Sequence, residues 1–241
     1  MKISVVVPVF NEAENLQPLI EEIKQALSSY EHYEIIYVDD GSTDETRQTL
    51  EKLVGVVPEL KVIRHLHSYG QSAAIRTGIK QAVYPVIATL DGDGQNDPAD
   101  IPGLHEALQQ KQQEIANLWM VAGWRQKRLD SKWRIFSSKL ANSIRSWLLN
   151  DQTPDTGCGL KVFYRDKFLD LPYFNHIHRF LPALIIREGG QVISAPVNHR
   201  PRQRGVSKYG TWGRLWVGIV DLMGVMWLIK RASPVVIEES F

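Results

Sequence analysis

Short apolar runs alternate with stretches of helical spacing through the first ninety residues. Ile3 to Val9 is a β-rich run that breaks at Pro8 and reads as a first buried strand. Leu16, Leu19, Ile20, Ile23 and Leu27 then fall on one helical face within Glu14 to Ser28. Glu34 to Val38 is again a strand, Asp44 to Val54 a helix, Lys61 to Arg64 a strand, Gln71 to Val83 a helix and Pro85 to Leu90 a strand. This alternation predicts a doubly wound α/β fold: a mostly parallel sheet covered by helices.

Beyond an acidic, glycine-rich segment at 91–95, Ala99 to Gln113 has helical spacing and Met120 to Trp124 reads as a short strand. Ser131 to Leu149 predicts a long helix with a mixed face. Leu160 to Tyr164 and Gln191 to Val197 read as strands around a helix at Leu181 to Arg187. Trp212 to Ile229 is the most apolar stretch. Its continuous part, Leu215 to Ile229, would span roughly 22 Å as a helix against a hydrocarbon core of about 30 Å. Asp221 and three glycines weaken a membrane-spanning reading further, whereas Trp212, Trp216 and Trp227, flanked by Arg214, Lys230 and Arg231, suit a helix lying in a membrane interface. A buried core helix is the plain alternative.

With 241 residues the chain has room for one α/β domain and a small appendage. The boundaries expected are a catalytic domain over 1–210, an interfacial helix over 211–231 and a tail over 232–241. A net charge of +1 argues against a general nucleic-acid binder, although Arg200, Arg202, Arg204, Lys208 and Arg214 make the C-terminal part locally basic. Cys158 is the only cysteine, so neither an intrachain disulfide nor a cysteine-based zinc site is expected, and a reducing, cytosolic setting fits. The first residues lack the longer apolar core and cleavage site of a signal peptide.

Three acidic segments follow predicted strand ends, where ligands bind in open α/β sheets. Pro8-Val9-Phe10-Asn11-Glu12 closes the first strand; in isolation Asn11 could simply cap the next helix, with Glu12 favouring its positive end. Asp39-Asp40-Gly41-Ser42-Thr43-Asp44 closes the second, where a carboxylate can accept from ribose hydroxyls or a base N–H while Ser42 or Asp44 caps a helix. Asp91-Gly92-Asp93-Gly94-Gln95 follows the strand ending at Leu90. Mg²⁺ uses only one or two protein carboxylates and completes its shell with phosphates and water, so an Asp-x-Asp here suits a Lewis-acid metal at a departing diphosphate. An acidic turn would explain the segment taken alone.

PVFNE, VDDGSTD and LDGDGQ, in this order and at these separations, resemble the family-2 glycosyltransferases, and the remainder resembles their dolichol- or polyprenyl-phosphate branch. The resemblance spans about residues 1 to 231. It implies a GT-A fold, a nucleotide-sugar donor, Mg²⁺ or Mn²⁺, and inverting transfer to an undecaprenyl or dolichyl phosphate at the cytoplasmic face of a membrane. By the family pattern Pro8, Phe10, Glu12 and Asp40 line the nucleotide, with Phe10 replacing a frequent tyrosine. Asp91, Asp93 and Gln95 match the metal motif, with Gly92 between the two carboxylates on the donor side. Arg125, Arg134 and Ser138 match residues that contact acceptor or donor phosphates. Arg202 and Lys208 match the two phosphate-contacting cations of a loop closing over the donor, where Gly205 permits a tight turn; Arg200 and Arg204 are extra positives suited to anionic headgroups.

The Asp155 to Gly159 segment with Lys161 resembles the acceptor border, where Asp155 could orient a sugar hydroxyl or the arginines, or cap a turn. His176 and His178 are assigned surface or packing roles. A lipid phosphate is already ionised, so transfer needs no protein base. Asp93, Arg125, Arg134 and Ser138 are the expected catalytic set. Two rivals are a family-2 enzyme extending a glycan with Asp155 as base, and a non-catalytic nucleotide-binding membrane adaptor. Relatives with two further membrane helices suggest that this chain draws on a small membrane-anchoring partner, and a homo-oligomer stays open.

Overall fold

The computed structural model describes residues 1–125, 145–201 and 211–232, with only the backbone of 211–216. Strand β1 (Lys2–Val9) leads into helix α1 (Ala13–Ala26), β2 (His32–Asp39) into α2 (Thr46–Val54), and β3 (Leu60–Arg64) into α3 (Gln71–Gln81). After β4 (Val86–Thr89) come a 3₁₀ turn (Pro98–Asp100), α4 (Ile101–Lys111) and β5 (Leu118–Arg125). The remainder comprises β6 (Lys161–Tyr164), α5 (Arg165–Leu169), a second 3₁₀ turn (Ile177–Arg179), α6 (Leu181–Arg187), β7 (Gln191–Val197) and α7 (Thr211–Lys230).

The seven strands form one sheet in the order β3-β2-β1-β4-β6-β5-β7. The β1–β2, β2–β3, β1–β4 and β5–β7 pairs are parallel, whereas β6 runs antiparallel to both β4 and β5. The sheet is therefore mostly parallel, as the alternation predicts, with one reversed strand.

Strand periodicity sorts the core onto two faces. Ile3, Val5, Val7 and Val9 of β1 join Leu16 and Ile20 of α1, Leu50 of α2 and Leu104 and Leu108 of α4 on one face. Val6 of β1, with Ile36 and Val38 of β2, meets Ile75 and Ile79 of α3, Phe168 of α5 and Leu184 of α6 on the other. Predicted elements and observed ones agree closely in the first half, while α5 and the 3₁₀ turns are too short to leave a periodic signal. Of the long helix expected at 131–149, residues 145–149 are helical and the rest lies outside the described residues.

Helix α7 packs one apolar side on the core and leaves another exposed. Val225 is buried, and Leu222, Met226, Leu228 and Ile229 pack on the second face of the core. Val220, Met223 and Trp227, spaced along the opposite side, are exposed. Asp221 binds His176 Nδ1 at 2.9 Å, and Arg187 Nε donates to the Leu228 carbonyl at 3.0 Å, so the helix is fastened at two points. Among the described residues no helix is long and apolar enough to cross a membrane.

The core makes a stability prediction. Phe163 on β6 is wholly enclosed and stacks on Phe168 with ring centroids 5.6 Å apart. Phe163→Ala should cost about 3–5 kcal/mol through lost burial and a residual cavity. Urea unfolding would show it as a lower midpoint at unchanged slope; a loss below about 1 kcal/mol would mean this packing is misassigned.

Candidate functional site

Because β3, β2, β1 and β4 are parallel neighbours, their carboxyl ends lie side by side. The loops at 10–12, 40–45, 65–70 and 91–97 therefore share one edge of the sheet. Backbone bonds continue the ladder into them: Asp40 N–H donates to the Val9 carbonyl at 2.9 Å and His65 N–H to the Asp39 carbonyl at 2.8 Å.

Asn11 braces this edge rather than capping its own helix. Its Oδ1 accepts from Thr43 N–H at 2.7 Å, and its own N–H donates to Ser42 Oγ at 2.8 Å. Glu12 N–H donates to Thr46 Oγ1 at 2.9 Å, and Glu12 Oε2 accepts from Asn15 at 2.7 Å. Residues 10–12 and the start of α2 are thus one unit, which explains the left-handed Asn11 at φ 55°.

The two adjacent acids of β2 and its loop divide their work. Asp39 accepts from Ser42 N–H at 2.8 Å and closes its own turn. Asp40 gathers the 65–70 loop: Ser68 Oγ at 2.7 Å, Tyr69 N–H at 2.9 Å, Gly70 N–H at 2.8 Å and His65 Nδ1 at 2.7 Å. Burial alone would raise the Asp40 pKa, but hydrogen bonds led by Ser68 and His65 outweigh it and hold the carboxyl below its ordinary value. Four donors fill the lone-pair sites of a carboxylate, so Asp40 shapes the loop beside the site. Gly41 makes room for that loop. Its φ is 75°, and a Cβ would lie 2.5 Å from the His67 backbone.

Asp91 is the most constrained acid. Its Oδ1 accepts from Gln71 Nε2 at 2.8 Å, and its N–H donates to Asn96 Oδ1 at 3.1 Å. The carboxylate lies against Gly159, where an added Cβ would sit 2.3 Å from Oδ2. Burial first, then repulsion from Asp93, push its pKa up to about 6 despite Lys161, Arg125 and Gln71. Asp93 Oδ1 accepts from Gln95 N–H at 3.0 Å, which folds the motif back on itself. Gly92 leaves no space for a side chain beside Val9 and the Pro8 carbonyl, so the first and fourth strand-end loops touch. Among the described residues no group of three or more His, Cys, Asp and Glu gathers. Asp91 and Asp93 are the carboxylates that could hold a hard cation, with the remaining oxygens drawn from a ligand and water.

Two cations stand on the far side of Asp91. Arg125, the last residue of β5, forks onto Asp155 with Nε–Oδ2 at 2.6 Å and Nη2–Oδ1 at 2.8 Å. Burial works against its charge, but Asp155 more than restores it, so Arg125 stays cationic. Asp155 thereby orients the arginine, one of the roles the sequence leaves open. Lys161 on β6 is buried and donates to the Cys158 carbonyl. Burial lowers its pKa, and its charge offsets that of Asp91. Burial raises the Cys158 thiol, in keeping with a packed residue.

Arg200 corrects one expectation. Its guanidinium pairs with Glu22 at 2.8 Å and Asp97 at 2.6 Å, and its N–H donates to the Gln95 carbonyl at 3.0 Å. It ties the segment after β7 to α1 and to the DGDGQ loop instead of standing out toward headgroups. Arg134, Ser138, Arg202, Arg204, Gly205 and Lys208 lie outside the described residues.

Sequence reading passed over Gln71 and Ser72, and gave His178 a surface or packing role. Ser72 Oγ meets His178 Nδ1 at 2.7 Å in a partly buried contact, and burial pushes the His178 pKa well below the usual value. Neighbouring residues of α3 thus hold the acid Asp91 on one side and the 3₁₀ turn at Ile177–Arg179 on the other. The only sequence signal is a Gly-Gln-Ser start to α3 directly after the third strand-end loop.

The arrangement has parallels among known proteins. The chain is 35% identical over 240 residues to the dodecaprenyl-phosphate galacturonate synthase of Rhizobium johnstonii, covering 97% of this chain and 69% of that one. It is 33% identical over 211 residues to the undecaprenyl-phosphate 4-deoxy-4-formamido-L-arabinose transferase of Edwardsiella ictaluri, covering 86% and 63%. In structure it resembles glucosyl-3-phosphoglycerate synthase from Mycobacterium tuberculosis, solved with Mn²⁺, uridine diphosphate and phosphoglyceric acid, at TM-score 0.68 and 15% identity over 98% of this chain and 80% of that one. Mannosyl-3-phosphoglycerate synthase from Rubrobacter xylanophilus gives TM-score 0.67 at 15% identity, covering 100% and 78%. These two likenesses show the GT-A fold. The profile of "Glycosyl transferase family 2" matches residues 4–171, and the chain belongs to that family.

Proposed function

We infer that this chain transfers a sugar from a nucleotide diphosphate to a polyprenyl phosphate, giving a lipid-phosphate sugar. The observation that carries the reading is Asp91, a partly buried carboxylate beside a second carboxylate at the meeting point of four strand-end loops. Such a pair favours a divalent cation, and the named activities of two relatives supply the acceptor class. The chain spans 69% and 63% of those relatives, so what their remaining lengths contribute is separate from this site.

Asp91 and Asp93 would hold Mg²⁺ or Mn²⁺, which when bound neutralises charge on the departing diphosphate. Gln71 fixes the Asp91 carboxylate, and the Asp93 to Gln95 turn fixes the second. Residues 8–12 and the loop cradled by Asp40 form the donor's nucleotide side. An acceptor phosphate oxygen attacks the anomeric carbon as the bond to the nucleoside diphosphate oxygen breaks, and the electron pair leaves with the diphosphate. The acceptor is already ionised, so orientation and charge carry the step. Arg125, held by Asp155, supplies a fixed cation; Arg134 and Ser138 are proposed for the acceptor phosphate, and Arg202 and Lys208 for the leaving group. Residues 202–208 are entered from a point anchored beside Gln95 through Arg200.

The glycan-extending rival needs Asp155 as a base, and both oxygens of Asp155 are taken by Arg125. The exposed Val220, Met223 and Trp227 of α7 support peripheral attachment to the cytoplasmic membrane face where the lipid acceptor resides.

Radiolabelled donor and undecaprenyl phosphate in vesicles test the reading. Label should enter an acid-labile lipid fraction, and Asp93→Asn should reduce kcat by about 10²-fold or more. Near-normal transfer by that variant at saturating metal would remove Asp93 from the mechanism.

A second expectation concerns pH. The Asp91 carboxyl is raised from 3.8 to about 6, so in the metal-free protein it contributes stability below pH 3.8 that is lost as pH rises through about 6. Only the ionised form binds metal, so at a fixed, subsaturating Mn²⁺ concentration the increase in Tm should be smaller at about pH 5 and grow through about pH 6. A pH-independent increase would place the ion elsewhere.

A further inference from the structure

From Leu60 to Leu90 the sequence contains Lys61, Arg64, Arg76 and Lys80 but no aspartate or glutamate. A cavity of about 420 Å³ opens in this region, against the outer side of α3. Arg76, Thr77 and Lys80 of the helix line it together with the rings of Tyr69 and Tyr173, and no carboxylate does. The Asp91, Asp93, Arg125 and Asp155 cluster takes no part in it.

The donors around this space are unusually uncommitted. The Arg76 guanidinium lies 4.4 Å over the Tyr173 ring, which fixes its plane without neutralising its charge. Among the described residues neither Arg76 nor Lys80 has a carboxylate partner. Asn175 also lines the cavity; its Oδ1 accepts from His176 N–H at 3.0 Å, which leaves its amide N–H₂ without a partner among the described residues. Two cations and an amide donor, walled by two aromatic rings, complement an anion larger than a halide.

We propose that this cavity is a second anion site, distinct from the Asp91 and Asp93 pair, which binds a phosphate group carried on a larger molecule. A solvated basic helix face is the ordinary fate of such cations, but it would not need an open hollow between two tyrosine rings or a guanidinium fixed by one of them. A fork of guanidinium N–H groups and a mobile ammonium together match the several oxygens of a phosphate, and the remaining volume accommodates what the phosphate is attached to. The site is also connected to the donor side. His65, another lining residue, meets Thr77 Oγ1 through Nε2 at 3.0 Å and Asp40 Oδ1 through Nδ1 at 2.7 Å. A ligand here therefore rests against the back of the loop that Asp40 cradles.

The same chemistry is offered by a soluble phosphate and by a lipid headgroup, and ¹⁹F NMR separates them. The full chain is labelled with 3-fluorotyrosine, and the Tyr173 signal is assigned by Tyr173→Phe. Inorganic phosphate is titrated in one arm; phosphatidylcholine nanodiscs with and without phosphatidate are added in the other. A saturable movement of the Tyr173 signal is expected, weakened about tenfold or more by Lys80→Glu and by Arg76→Ala, and less by Arg76→Lys. Lys80 is exposed, so its charge reversal leaves packing intact. Response to inorganic phosphate assigns a soluble ligand, and response only to phosphatidate discs assigns a headgroup; either supports the site. No saturable movement with either probe, or equal titrations in wild type and Lys80→Glu, would overturn it.

Discussion

The partial burial of Asp91 is the constraint on which the rest of the site depends, because a carboxylate drawn partly out of water beside a second carboxylate raises its own energy unless something positive is near. Burial and Asp93 together hold its pKa near 6, while Lys161 and Arg125 only partly compensate. Much of the surrounding fold can be traced to that strain. Gly159 has no side chain because Asp91 occupies the space one would need. Gln71 opens α3 with an amide donor aimed at Asp91, and β6, the one reversed strand, carries Lys161 into the sheet beside it. A cation arriving with a diphosphate relieves the imbalance, and that links donor binding to metal binding.

Around this acid the loops are joined by polar side chains rather than by apolar packing. Asn11 connects the first strand end to the second, Asp40 connects the second to the third, and Gln71 connects the third to the fourth. Each connection uses a carboxylate or amide to pair with a backbone or side-chain donor of the neighbouring loop. The same logic extends to the periphery, where Ser72 with His178 and His176 with Asp221 join α3, the 3₁₀ turn and α7 in series. The C-terminal helix is thus fastened to the element that orients Asp91.

Legibility in the sequence followed the range of the interactions. Period-2 and period-3.6 patterns report local burial, so β1 to β4 and α1 to α4 could be read with small errors at their ends. Strand-end acids could be located because the topology of a doubly wound sheet puts them on one edge. What each acid does there could not be read, since Asp39 closes its own turn while Asp40 is set apart by a loop some 25 to 30 residues away. Gln71 and Ser72 went unnoticed for the same reason: their partners lie 20 and 106 residues away. Arg200 reads in sequence as an extra positive suited to headgroups because its partners Glu22 and Asp97 are far away along the chain. Helix α7 was ambiguous in sequence and is two-sided in structure, with Val225 inward and Trp227 outward.

If Asp91 and Asp93 hold a metal that also engages the donor's phosphates, then Mn²⁺ bound with a nucleoside diphosphate must be in direct contact with phosphorus-bearing oxygens. Electron–nuclear double resonance on the Mn²⁺ complex reads this contact as a ³¹P hyperfine coupling. The account predicts such a coupling in the wild-type chain and its loss in Asp91→Asn. Mn²⁺ bound without ³¹P coupling, or coupled equally in the variant, would contradict it.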